Sequence, residues 1–213
     1  DGEEKTEGTD PLAADSDNDG LEAGEEVNPL GPNPLQADTD GDTVADGEEI
    51  NNGTDPLLAD TDGDGLTDGE ELLEGTDATD TDSDDDGLTD GDEIAEGTDP
   101  LVADTDGDGV SDGQEITDGT DPLATDTDQD GLTDAEEKTR GTDPTLSDSD
   151  GDGVSDGDEV TQGTEPTTAD SDGDGVDDGV DAFPSDNTRD TDADGDGLAP
   201  LPNGEDTDDQ DPC

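Results

Sequence analysis

The chain has 213 residues, 73 of them Asp or Glu against four Lys plus Arg, and a formal net charge of −69. Only 21% of residues are hydrophobic and Phe183 is the single aromatic, which excludes a conventional apolar core and by composition alone places the chain among disordered polyanions. The charge also excludes recognition of nucleic-acid phosphates and direct contact with an anionic membrane surface, and no apolar run is long enough to span a bilayer.

In chain order, residues 1–14 read as the tail of a repeat, because "EGTDPLAA" at 7–14 resembles "EGTDPLVA" at 96–103. The chain begins at Asp1 without Met, so a mature or excised segment is expected. Eight repeats follow over 15–189, the first step being 23 residues and every later one 22.

The first repeat carries Asp15, Asp17, Asp19 and Glu26, with Ala23 where a fourth Asp would stand. The second carries Asp38, Asp40, Asp42, Asp46 and Glu49, with Thr43 in place of a glycine. The next six satisfy D-x-D-x-D-G-x-x-D-x-x-[DE] in full. The third has Asp60, Asp62, Asp64, Asp68 and Glu71, and the fourth Asp82, Asp84, Asp86, Asp90 and Glu93. Asp104, Asp106, Asp108, Asp112 and Glu115 form the fifth, then Asp126, Asp128, Asp130, Asp134 and Glu137 the sixth. Asp148, Asp150, Asp152, Asp156 and Glu159 make the seventh, and Asp170, Asp172, Asp174, Asp178 and Asp181 the eighth. Residues 190–213 form a divergent acidic segment in which Asp192, Asp194 and Asp196 keep the start of the pattern.

Solvated disorder or adaptation to high salt requires no such register. Calcium does. It takes about six to eight oxygen ligands, and a twelve-residue loop supplies them from carboxylates at positions 1, 3 and 5, a backbone carbonyl at 7, position 9, often through water, and a bidentate acid at 12, with Gly at 6 for the turn. In the third repeat these are Asp60, Asp62, Asp64, the Leu66 carbonyl, Asp68 and Glu71, with Gly65 at the turn. Zinc and copper favour His or Cys; His is absent and Cys213 is alone. Eight divalent ions would leave most of the −69 charge uncancelled, so about eight or more are expected.

The ten residues after each loop suffice for one short helix and a turn. In the third repeat Asp68 is the expected N-cap, Glu71 its capping-box partner, 69–74 the helix and Gly75 its end. The T-D-P that follows elsewhere reads as an extended turn, and Ala78 replaces its proline, which predicts the least rigid junction there. The stretch "NPLGPNPLQA" at 28–37 leaves open whether the first junction bends.

Apolar residues recur at position 7 (Leu21, Val44, Leu66, Leu88), at position 13 (Ile50, Leu72, Ile94, Ile116) and after the turn (Leu57, Leu101, Leu123). They predict small nearest-neighbour contacts. Asp55, Asp77, Asp99, Asp121 and Asp143 precede the turn, either as turn formers or as further ligands. The fold class expected is a mostly irregular, calcium-stabilised linear repeat, solenoid-like or an extended rod. It has EF-hand-like loops, each followed by one short helix, and no large hydrophobic core.

"DTDGDGLTDGEE" with a following "GTDP" resembles the bacterial form of the thrombospondin type 3 calcium-binding repeat over about residues 1–189, and similar loops occur in bacterial binary-toxin components. The resemblance implies an extracellular or cell-surface calcium-bound array in a stalk, adhesin or secreted protein, without the cysteines of the animal repeats. The end "DADGDGLAPLPNGEDTDDQDPC" resembles a bacterial metal-binding repeat more weakly. "NGT" at Asn52 matches a glycosylation acceptor.

The function expected is a calcium-stiffened rod, spacer or filament subunit. A calcium-dependent adhesin and a calcium-storing polyanion are the alternatives, and further copies of the chain or a surface partner are the expected contacts besides calcium. No enzyme is expected: His is absent, and calcium accounts for the paired carboxylates.

Overall fold

A computed structural model describes residues 14–26 and 31–187. Its chain divides into two compact units, residues 1–105 and 106–213. Among the described residues the first holds four short helices: α1 (Ala23–Glu26), α2 (Asp46–Asn52), α3 (Asp68–Glu74) and α4 (Asp90–Glu96). The second holds α5 (Asp112–Asp118), α6 (Asp134–Arg140) and α7 (Asp156–Gln162). No strand occurs among the described residues, and no helix there is long and apolar enough to cross a membrane. One helix thus follows each of the first seven loops. After the eighth, 178–180 form only a turn.

Helices α3 to α7 are each bounded by local chemistry, a Ser or Thr cap at the start and a left-handed glycine at the end. In α3 the cap is Thr67, not Asp68: its side chain accepts from the Glu70 N–H, and Glu70 reaches back to the Thr67 N–H. The expected cap is thus one residue late, because Asp68 is already helical and its carboxylate is turned inward. Gly75 ends the helix as expected, at φ 91.

What is buried departs from the apolar expectation. Position 7 goes inside, with Val44, Leu66, Val110 and Leu132 covered. Position 13 does not: Ile50 is 55% exposed and Leu72 58%, and Leu57, Leu101 and Leu123 also face solvent. Among the described residues Val44, Leu66, Val110 and Leu132 are the only buried hydrophobic side chains, fewer than one per repeat and far short of three. The largest fully buried side chains are instead the glutamates of position 12 and aspartates of position 9. At Lys138, which interrupts the position-13 series, the ammonium pairs with Asp118 at the end of the preceding helix.

The turns are uniform. The Leu58 N–H donates to the Asp55 carbonyl at 2.8 Å, and the Asp80 N–H to the Asp77 carbonyl at 2.8 Å, although Ala78 stands where Pro56 does. Thr79 Oγ1 adds a bond to Asp77 Oδ1 at 2.7 Å. The weaker hinge expected at Ala78 has no counterpart in hydrogen bonding. In the first junction Asn33 replaces the turn aspartate. Its Oδ1 accepts from Leu35 N–H, as Asp55 Oδ1 does from Leu57 N–H, both at 3.2 Å. The extra residue of that repeat therefore lies upstream of Asn33.

Candidate metal centre

The loop shapes itself around its own carboxylates. In the third repeat Asp60 Oδ1 accepts from Gly63 N–H at 2.7 Å and Oδ2 from Gly65 N–H at 3.2 Å. Asp62 Oδ1 accepts from Asp64 N–H, and Asp64 Oδ1 from Leu66 N–H at 2.8 Å. These bonds require left-handed backbone at two positions. Position 6 is met by Gly65 at φ 108. Position 4 escaped the sequence reading: Gly63 stands there at φ 87, and Asn18, Asp85 and Gln129 adopt φ near 65 in other repeats. Oxygens of Asp60, Asp62 and Asp64 come within 4.8 Å of one another, as do those of Asp15, Asp17 and Asp19, and of Asp38, Asp40 and Asp42.

A second cluster forms where repeats meet. Asp19 and Glu26 are joined by Asp46 of the next repeat, and Asp42 and Glu49 by Asp68, again with oxygens within 4.8 Å. All six residues are buried. Position 9 thus lies against the acids of the preceding repeat. Two contacts place it there. A hydroxyl at position 2 holds the carboxylate: Thr61 N–H donates to Asp68 Oδ1 at 2.8 Å and Thr61 Oγ1 to Asp68 Oδ2 at 2.7 Å. Ser83 with Asp90, Thr127 with Asp134 and Ser149 with Asp156 repeat the pair.

The backbone at position 10 then donates to position 5 of the preceding repeat. Gly69 N–H reaches Asp42 Oδ2 at 3.0 Å, Gly91 reaches Asp64 at 2.8 Å, Gly157 Asp130 at 2.7 Å and Gly179 Asp152 at 2.9 Å. A Cβ on Gly69 would fall 2.2 Å from the Asp42 carbonyl oxygen, so glycine permits the approach. Ala135 is the exception. It keeps the bond, to Asp108 at 2.9 Å, which implies a small local shift. Neither the hydroxyls at position 2 nor the role of position 10 was read from the sequence, though Ser or Thr occupies position 2 in all eight repeats.

The glutamate of position 12 is the deepest group. Glu49 and Glu71 are fully buried, and both oxygens of each lack a hydrogen-bond partner. Burial first, then the Asp40, Asp42, Asp46 and Asp68 carboxylates, push the Glu49 carboxyl up to about 8. Burial followed by Asp62, Asp64, Asp68 and Asp90 does the same to Glu71, again to about 8. Glu115, Glu137 and Glu159 also rise to about 8, with burial the largest cause, and Glu26 to about 7. Carboxylates buried among carboxylates are costly unless a cation meets them. The donor set is all hard oxygen, which suits calcium. The orphaned oxygens fit that ion.

The turn residues separate into two roles. Asp55, Asp77, Asp99, Asp121 and Asp143 are exposed and accept from the N–H two residues on, so they act as turn formers. The threonine before them approaches the site instead. Thr98 Oγ1 lies 3.4 Å from Glu93 Oε1, and Thr142 Oγ1 3.3 Å from Glu137 Oε1. Asp192, Asp194, Asp196 and Cys213 lie outside the described residues.

The sequence model of a family described as the bacterial TSP3 repeat matches residues 1–14, 15–37, 38–59, 60–81, 82–103, 104–125, 126–147 and 148–169. A search of the curated proteins and of the solved structures finds no match.

Proposed function

Because the chain belongs to the bacterial TSP3 repeat family, a calcium-binding tandem repeat, we propose that it is an extracellular calcium-stiffened spacer, rod or filament element of a surface or secreted protein. Each loop holds one ion on its position 1, 3, 5 and 12 carboxylates, about eight or more along the chain. Position 12 supplies the deepest ligand. The observation that carries this reading is the buried, unpartnered Glu49 and Glu71 carboxylates in a chain whose largest buried side chains are acids.

Calcium cancels the mutual repulsion that otherwise opposes closure, so binding and ordering are one process. Extracellular calcium near millimolar suits the weak affinities of extracellular modules. With only four hydrophobic side chains buried among the described residues, the ions take over the part a core plays elsewhere. Circular dichroism and small-angle scattering of the full chain, with calcium and with excess chelator, test the proposal. Loss of helix signal and expansion in chelator are expected. An unchanged profile would overturn it.

A further inference from the structure

Helix α2 ends on a pair that none of α3 to α7 shares. Asn52 is its last residue, and Gly53 follows at φ 96. The later helices close on Glu74, Glu96, Asp118, Arg140 and Gln162 before their glycines. An asparagine followed by glycine is the pair most prone to cyclise, because no side chain shields the glycine nitrogen. Asn52 is exposed.

The fold holds that nitrogen back. Gly53 N–H donates to the Glu49 backbone carbonyl at 2.7 Å, and Thr54 N–H to the same oxygen at 3.0 Å. A nitrogen engaged in that bond, after a residue in helical conformation, is not aimed at the Asn52 side-chain carbon. Cyclisation therefore requires α2 to open. A helix of seven residues without a side-chain cap is marginal by itself. The first turn of α2 is held from the loop before it, where Thr39 N–H and Oγ1 donate to the Asp46 carboxylate, both at 2.7 Å.

We propose that Asn52–Gly53 is a self-modification site gated by calcium, inert while α2 is closed and converted once the loops are empty. The proposal rests on the calcium-stabilised reading above, and its reacting groups are an amide and a backbone nitrogen. In the open chain the Gly53 nitrogen attacks Asn52 Cγ. A new C–N bond forms, the Cγ–Nδ2 bond breaks, and the proton lost from the Gly53 nitrogen passes through water to the leaving group, which departs as ammonia. Water then opens the resulting succinimide at either carbonyl, to aspartate or to isoaspartate. Isoaspartate lengthens the backbone just before the Thr54–Asp55–Pro56 turn that leads into the third loop. Either product adds a negative charge at the C-terminal end of α2, where the helix dipole opposes it. Loss of calcium thus leaves a lasting mark on the chain.

The test incubates the full chain at mildly alkaline pH with saturating calcium and, in parallel, with excess chelator. Peptide mapping by mass spectrometry reads the conversion of amide to acid at Asn52, and circular dichroism reads helix content in the same samples. Conversion about tenfold faster or more in chelator is expected, following the open population. Asn51, whose Nδ2 donates to the Gly47 carbonyl at 2.6 Å and whose successor is not glycine, should convert far more slowly in both. Asn52→Gln should abolish the conversion and leave the helix signal in calcium unchanged. Loss of helix signal in chelator with equal conversion in both conditions, or with no conversion in either, overturns the gate. Helix signal that survives chelator would sink the function proposed above and the gate with it.

Discussion

The second and third repeats obey different local rules and reach the same geometry. In the third, Gly65 takes φ 108 and Thr67 caps α3 in a reciprocal capping box. In the second, Thr43 holds φ 88 at the turn, and Ala45 leads into α2 with no side-chain cap. Both helices nevertheless run seven residues and end on a left-handed glycine, Gly53 at φ 96 and Gly75 at φ 91. Glu49 and Glu71 are equally buried. A β-branched residue at positive φ and an absent cap are both unfavourable. The second repeat tolerates both while Asp68 and Gly69 of its neighbour close on Asp42 and Glu49, contacts that lie outside the turn and the cap.

The comparison breaks most plainly if calcium is withdrawn. Amide hydrogen exchange in chelator should show α2 and α3 unprotected alike, a loss of several orders of magnitude in protection. A capped α3 that stays protected while α2 melts would mean that capping, not calcium, carries the helix. Protons are the next lever. Without an ion, Glu49 and Glu71 sit at about 8, well above the unfolded value of 4.5, so the folded ion-free form holds extra protons between those limits. Its stability therefore falls as pH rises from about 4.5 to about 8. Calcium must expel those protons, so affinity should drop as pH falls from 8 to 5, by about tenfold or more. Calorimetry in buffers of different ionisation enthalpy should detect proton release at pH 7, equally in both repeats.

Smaller changes sharpen the contrast. Thr43→Gly relieves the positive-φ residue and should stabilise the second repeat by about 1 kcal/mol, read as slower local exchange in α2. Ala45→Thr supplies the missing cap and should add about 0.5–1 kcal/mol, whereas Thr67→Ala should remove about as much from α3. If Ala45→Thr has no effect, the junction already holds the first turn of α2 fully.

Much of this was legible in the residues, because a metal loop specifies position and type together. The eight loops, the turn glycine at position 6, the helix end at Gly75 and the shortage of core all follow from spacing and composition. The junction was not. Position 9 reads as part of its own loop because sequence spacing is local, whereas Asp68 meets Glu49 only after the chain has folded back through a turn. The hydroxyl at position 2 and the glycine at position 10 were present in the pattern, but their work lies between repeats. The apolar residues at positions 7 and 13 are alike in type, and only packing separates Val44, 4% exposed, from Ile50, 55% exposed.

The spare residue upstream of Asn33 has a wider consequence. Asp46 still meets Asp19 and Glu26 although the first repeat is one residue longer than the others. Connectors absorb insertions; junctions do not move. Both of the first two junctions use the same residue types from both sides, so a unit can be duplicated or deleted there and the new neighbours will fit. Excision of residues 60–81 would bring Asp90 to Asp42 and Glu49. For such a chain, reach is a quantity that recombination can adjust in unit steps, without inventing a new interface.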